Sequence, residues 1–310
     1  MTAITGTTYA GRAALPWMRW APRLALVWSA VYVLVRLWYA TGHGPEWKLP
    51  VGDLLVPDRV SVVGCAISAV AVVALGRWSR SRLMIGAVWA LAASWVAVSA
   101  LALLDVVGGL LPGLGIPFDL LGMLSRFAAL AGAGLLGATA LARQRQLDPS
   151  CLHCSGQPIR VTSTPVWAKI GAWAAVAGCL TRLAAQAAVG FDFVPYAAGL
   201  SITLFEGGFL LAGVVLPLLL VYRAGRFVPR WMLLLPGAVL STAITAYFGF
   251  GLLQMFVALL QGEPVYGDVG LPDAFFWVAV PAYVAWGVGL AAATYGFRLR
   301  TRKPCKGCGR

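Results

Sequence analysis

The chain has 310 residues, of which 60% are hydrophobic and only 11% are charged, and its net charge is +13 at pH 7. A soluble globular domain carries roughly 25% charged residues, so this composition excludes an ordinary soluble protein. Apolar stretches long enough to cross a hydrocarbon core of about 30 Å recur along the whole sequence. The composition therefore predicts an all-α, polytopic membrane protein.

Eight membrane-spanning helices are predicted from these apolar stretches. In chain order they cover 24–41, 59–76, 83–104, 120–142, 166–188, 199–222, 231–260 and 275–297. No small-residue cleavage site accompanies the first stretch, so we interpret it as a retained signal-anchor helix. The predicted organisation is an N-terminal tail (1–23), a first transmembrane repeat (24–142), a loop with a CxxC pair (143–165), a second repeat (166–297) and a tail with another CxxC pair (298–310).

Lysine and arginine are distributed unevenly between the two sets of connecting loops. The termini, the loops after spans two, four and six, and the adjacent helix ends hold 19 of the 24 basic residues. The positive-inside rule then places both termini in the cytoplasm of a multi-pass cell-membrane protein. We expect the basic loops to contact anionic membrane lipids. Because the charge is scattered over short loops instead of forming one patch, we expect no nucleic-acid binding.

Several features recur in the same order in the two halves of the sequence. Arg36 and Arg182 lie late in the first span of each half, 146 residues apart, and Arg77 and Arg223 close the second span at the same separation. A CxxC pair follows the fourth span of each half. Four spans is an even number, so both halves would share one orientation, as in parallel-repeat transporters. The pattern predicts eight transmembrane helices in two parallel four-helix repeats.

Cys151, Cys154, Cys305 and Cys308 form the two CxxC pairs, and all four lie on the predicted cytoplasmic side. In a reducing compartment such pairs are metal ligands or redox thiols more often than structural disulfides. Four thiolates suit tetrahedral zinc, and each CxxC turn supplies two of them. We therefore predict a structural zinc that joins the ends of spans four and eight. A redox-active dithiol and unliganded thiols are the alternatives.

Apart from Arg59 and Lys169 near span ends, four charged residues lie within the predicted spans: Arg36, Arg126, Arg182 and Glu206. A charged side chain at the bilayer centre costs about 2.5–3.5 kcal/mol or more, so such residues normally face protein or water. Three arginines and one carboxylate in the outer third of their helices predict an outward-facing site with surplus positive charge. Such a site would bind a small anion or a lipid headgroup. The alternative is that the arginines reach lipid phosphates and that a Glu–Arg pair merely locks two helices together.

The sequence carries no Walker A loop, no HExxH and no GxSxG motif, so an ATP-driven pump, a metalloprotease or a serine hydrolase is not expected. The leading hypothesis is a non-enzymatic, transporter-like membrane protein. The second is a structural or signalling subunit whose zinc module recruits a cytoplasmic protein partner. The third is a membrane-embedded enzyme that acts on a lipid-linked substrate through Glu206 and an arginine.

Three stretches carry a resemblance to other proteins: "WSAVYVLVRLWYATG" (28–42), "FEGGFLL" (205–211) and "VPRWMLLLPG" (228–237). They resemble parts of uncharacterised multi-pass membrane proteins of actinomycetes. The resemblance implies a membrane location and no established activity. The paired CxxC turns are not part of that family's pattern.

Overall fold

The computed structural model of the protein describes residues 16–49, 52–78, 81–110, 117–147, 161–190, 200–265 and 271–302. These ranges are predominantly helical and contain no strand, which confirms the predicted all-α class. The helices are α1 (Pro16–Trp38), α2 (Asp58–Arg77), α3 (Arg82–Val98), α4 (Ala102–Leu110), α5 (Leu120–Leu147), α6 (Val166–Val189), α7 (Leu200–Leu210), α8 (Leu216–Val221), α9 (Arg230–Gln261) and α10 (Asp273–Thr301).

Seven helical segments of the described chain are long and apolar enough to cross a membrane. The number becomes eight if the bent pair α3–α4 forms one span. One of the seven combines α7 and α8, which a π-helical segment (Leu211–Val215) connects. The protein is therefore a multi-pass helical membrane protein by the length and composition of its helices, as the sequence predicts.

The first helix is longer than the sequence predicts. We expect a tail up to residue 23, but α1 begins at Pro16. Proline suits the first helical position because its missing N–H would have no partner there in any case. The added turns pack onto the bundle, since Met18 and Ala21 are buried and the guanidinium of Arg145 lies 5.2 Å from the centre of the Trp17 ring.

The predicted span 83–104 is not one straight helix. It breaks at residues 99–101, and α3 and α4 meet there at an angle of 42°. The Ser99 hydroxyl donates to the carbonyl oxygens of Trp95 (2.7 Å) and Val96 (3.2 Å). Serine bonding back to the preceding turn bends helices, and no proline or glycine is needed for this break. The bend brings Asp105, on α4, to the site described below.

Each half of the described chain has its own large hydrophobic core, and a smaller cluster around Met255 and Val280 adds to the second half. In the first half, α1, α2, α3 and α5 pack around a cluster that includes Leu75 and Leu136. In the second half, α6, α8, α9 and α10 pack around a cluster that includes Trp286 and Leu290. The two halves meet where α3 and α4 contact α9.

Helices α6 and α10 pack unusually closely, because glycines line their contact. A Cβ atom on Gly178 would collide with the backbone oxygen of Ala282, and one on Gly289 would collide with the backbone oxygen of Gly171. Membrane helices associate through such small residues, since lipid tails are as apolar as the side chains and leave little hydrophobic driving force. The α6–α10 pair is therefore the packing core of the second half.

We expect Gly178→Val to lower the free energy of unfolding by about 1–3 kcal/mol, because the added methyl groups would force α6 away from α10. Gly134→Val on α5 is the matched control. A Cβ at that position meets no atom within 4 Å, so we expect little change there. Both variants are compared by SDS titration in detergent micelles, followed by circular dichroism. Equal losses in the two variants would show that the close approach is unimportant.

Candidate functional site

Arg36 is completely buried near the end of α1, and its guanidinium is held by several partners. Nη1 donates to Asp58 Oδ1 at 2.8 Å, and Nη2 lies 2.6 Å from Asp53 Oδ2. Nη2 also donates to the hydroxyls of Tyr32 and Ser125, both at 2.6 Å. The side chain therefore binds two carboxylates and two hydroxyls inside the first half.

Arg126, two turns into α5, is also completely buried. Nη1 donates to Asp105 Oδ1 at 2.6 Å. Nε donates to the carbonyl oxygen of Asp53 at 2.6 Å, and Nη2 donates to that of Gly52 at 3.0 Å. Each of its three nitrogens therefore has an oxygen partner. The neighbouring Ser125 hydroxyl donates to Asp53 Oδ2 at 2.6 Å and connects this site to that of Arg36.

The segment 52–58, between α1 and α2, connects these two arginines. Asp53 and Leu54 are 4% and 2% exposed, so this part of the segment folds into the bundle. The backbone N–H of Leu55 donates to the carbonyl oxygen of Val98 at 3.0 Å, at the end of α3. Asp53, Asp58 and Asp105 lie outside the predicted spans, so a count of charges within the spans misses their role. The one feature of the sequence that indicates this role is their position directly beside helices that carry arginine.

Arg182 and Glu206 form a separate pair in the second half. Arg182 Nη1 donates to both carboxylate oxygens of Glu206 at 2.7 Å. The guanidinium lies 4.8 Å from the centre of the Phe209 ring and 5.7 Å from that of Tyr283. The side chains of Arg182 and Glu206 are 7% and 17% exposed, so this pair is more accessible than the two arginines of the first half.

The charge balance differs from the one that the sequence predicts. We expect three arginines against one carboxylate, but Asp53, Asp58 and Asp105 join Glu206, so four carboxylates face three arginines in the described chain. The predicted surplus of positive charge is therefore wrong for these side chains. A buried guanidinium can take its partners from connecting loops, which a count of charged residues within the spans leaves out. Ligand binding by Arg36, Arg126, Arg182 and Glu206 stays a prediction.

A cavity of about 250 Å³ lies between the two halves. Leu104 and Val107, which flank Asp105 on α4, line it on one side, and Leu204 and Phe205, which precede Glu206 on α7, line it on the other. The rings of Phe209 and Tyr283, against which Arg182 lies, are also part of its wall. The lining is almost entirely apolar and rich in aromatic rings; the further members are Leu103, Gly208, Ala212, Leu240, Ile244, Tyr247, Phe248 and Trp286.

A second cavity of about 370 Å³ lies along the same boundary between the halves. Leu103 lines both cavities. The walls of the second cavity come from α3, α4 and α5 on one side and α9 on the other, and they include Ser99 at the helix break. The boundary between the halves is therefore a loosely filled seam.

The four cysteines predicted to bind zinc, Cys151, Cys154, Cys305 and Cys308, lie outside the described residues. Within the described ranges, no group of three or more histidine, cysteine, aspartate or glutamate side chains is arranged to hold a metal ion. The zinc site stays a prediction. Cys65 and Cys179, inside the helices, are buried free thiols.

Comparison with protein-family models, with curated proteins and with solved structures finds no match to this chain. We therefore infer the function from the geometry of the arginine sites and of the cavities.

We expect Arg126→Leu to lower the free energy of unfolding by about 3–5 kcal/mol, because Asp105 would remain buried without its partner. The double variant Asp105→Leu with Arg126→Leu should recover much of that loss, since no isolated charge remains. Arg143→Leu on the same helix is the control. Arg143 donates to the exposed side chain of Gln146, so we expect a change within about 0.5 kcal/mol. SDS titration measures all three. A double variant as unstable as Arg126→Leu would contradict the paired role.

Proposed function

We propose that this protein is a transporter-like membrane protein that binds a lipid with its headgroup at Arg182 and Glu206. The acyl chain would lie in the apolar cavity between the halves. The observation that carries the proposal is the position of this ion pair against Phe209 and Tyr283, two rings of the cavity wall. A polar pair beside an apolar, aromatic cavity between membrane-spanning helices matches the two parts of an amphiphile.

The lipid headgroup is favoured over a free small anion for two reasons. The cavity next to the pair is apolar, so it offers nothing to a hydrated ion, whereas an acyl chain would gain contacts there. Arg36 and Arg126, which the sequence also predicts to bind the ligand, already have carboxylate partners and are completely buried. We therefore propose that these two arginines hold segment 52–58 in place and that Arg182 carries the binding role.

We further propose that the two halves are parallel four-helix repeats. The first helix of each half carries an arginine that pairs with an acid on the next helix, Asp58 for Arg36 and Glu206 for Arg182. In each half the first helix packs against the last, α1 with α5 and α6 with α10. The third helix also packs against the last in both halves, α3 with α5 and α9 with α10. Such halves, joined at a loosely filled seam, suit rocking motions around a site between them.

The proposed orientation follows from the distribution of basic residues. Both termini would be cytoplasmic in the cell membrane, and the Arg182–Glu206 pair would lie near the outer face. The two CxxC pairs would then lie together on the cytoplasmic side, where Cys151, Cys154, Cys305 and Cys308 would bind a structural zinc. That zinc would tie the last helices of the two halves to each other.

The proposal predicts lipid exchange between the leaflets that depends on Arg182. The protein is reconstituted into vesicles containing a phospholipid with a fluorescent acyl chain, and dithionite bleaches only the label that reaches the outer leaflet. Arg182→Gln should slow the exchange roughly tenfold or more, because charge-assisted bonds to a phosphate are worth about 1.5–3 kcal/mol. Arg143→Gln is the control. Arg143 lies in the first half, near the end of α5, so this variant should leave the rate unchanged. Equal rates for the wild type and Arg182→Gln would reject the proposal.

The cavity itself is tested by two adjacent glycines of α7. Gly208 lines the cavity and Gly207 does not, yet a Cβ added at either position meets no atom within 4 Å. Gly208→Leu should therefore fill the cavity and reduce lipid exchange about tenfold, whereas Gly207→Leu should retain it. The same vesicle assay measures both, and detergent melting curves check that both are folded. Equal activity in the two variants would show that the cavity does not hold the lipid.

A further inference from the structure

We infer that the headgroup bound at Arg182 and Glu206 is zwitterionic, with a phosphate for the arginine and a primary ammonium for the glutamate. This inference rests on the proposed function and names its lipid class, an ethanolamine-type phospholipid.

The net charge of the site favours a zwitterionic headgroup. Arg182 and Glu206 together are neutral, and their side chains are 7% and 17% exposed. The guanidinium also lies against the aromatic rings of Phe209 and Tyr283, and the Tyr283 side chain hydrogen-bonds to it. In such surroundings an uncompensated charge is expensive, whereas charges that balance one another are tolerated. An anionic headgroup would place two negative groups against one guanidinium. A zwitterion adds one charge of each sign and keeps the site neutral.

The geometry of the pair also favours a zwitterionic headgroup. Glu206 occupies a single guanidinium nitrogen, Nη1, with both of its oxygens. Among the described residues, Nε and Nη2 of Arg182 bind no carboxylate, and the Tyr283 hydroxyl that also hydrogen-bonds to the guanidinium is a weaker acceptor than a phosphate. That edge therefore suits a phosphate, which arginine binds with two parallel bonds. Glu206 is the more exposed member of the pair. An ammonium group can therefore approach its carboxylate from the open side.

The carboxylate also distinguishes between cationic headgroups. A primary ammonium has N–H groups that donate charge-assisted hydrogen bonds to Glu206. A quaternary ammonium has none and depends on aromatic faces instead. The Phe209 face is already the one that Arg182 approaches, at 4.8 Å. The site therefore favours ethanolamine over choline.

In the described part of the first half, a cavity of about 340 Å³ lies beside Asp53 and Asp58, but its carboxylates are already paired with Arg36. There Arg36 binds both Asp53 and Asp58, and its side chain is completely buried. A phosphate would have to displace two carboxylates, and segment 52–58 would have to leave the bundle. The inference is therefore confined to the second half of the chain.

Three lysophospholipids with the same acyl chain and different headgroups test the inference. Ethanolamine, glycerol and choline forms are titrated into the protein in uncharged detergent micelles, and binding is measured by calorimetry. For the wild type we expect the ethanolamine form to bind about tenfold more tightly than the glycerol form and more tightly than the choline form. Glu206→Gln should make the glycerol form bind more tightly than the ethanolamine form. This variant loses the carboxylate that binds the ammonium and no longer repels the anionic glycerol form.

Each outcome decides between the hypotheses. Equal or tighter binding of the glycerol form by the wild type overturns the zwitterion inference and leaves the proposed function standing. Binding of the choline form as tightly as the ethanolamine form overturns the primary ammonium. Absence of binding for all three probes, or full binding by Arg182→Gln, overturns the proposed function together with the inference. The wild-type comparison needs no variant, so it holds even if Glu206→Gln fails to fold.

Discussion

A guanidinium inside a membrane bundle needs acceptors, and this requirement organises much of the structure. Arg36 and Arg126 have no water to bind, so the chain brings oxygen atoms to them. Segment 52–58 folds inward to supply the Asp53 carboxylate and two backbone carbonyls, and the break after α3 turns α4 so that Asp105 reaches Arg126. Removing either arginine would thus leave carboxylates buried without a partner, which costs more than the pair gains.

The buried arginines of the two halves have different numbers of acceptor groups. We therefore propose a structural role for the arginines of the first half and a binding role for Arg182. In the first half two arginines, three carboxylates and two hydroxyls form one connected network around a folded segment. In the second half one arginine meets one carboxylate, partly exposed and beside an apolar cavity. Arg36 binds two carboxylates and Arg126 binds three oxygen atoms, whereas Arg182 binds a single carboxylate that a ligand can replace more readily. This contrast supports the proposal that a headgroup binds in the second half.

Much of the fold is predictable from the sequence because hydrophobic length is a strong signal in a membrane protein. The ends of α2, α5, α6, α9 and α10 lie within a few residues of their predicted positions, except that the last helical turns of α5 and α10 extend further. The break at Ser99 was not predicted, because a serine bending a helix depends on which carbonyl its hydroxyl meets. The four ionisable residues of the site were identified by their cost in lipid. Their partners Asp53, Asp58 and Asp105 were not, because pairing across the bundle depends on tertiary structure that hydropathy does not encode.

The seam between the halves shows why these ion pairs matter beyond local stability. Lipid tails compete with side chains for every apolar contact, so helices in a membrane gain little from merely meeting. Close packing supplies the gain inside the second half, where glycines bring α6 and α10 together. At the seam the main contacts between described helices are those of α3 and α4 with α9, and two cavities lie along it. Each half is thus held internally by packing and buried charge, while the boundary between them is the part of the bundle whose contacts a lipid chain can most readily replace.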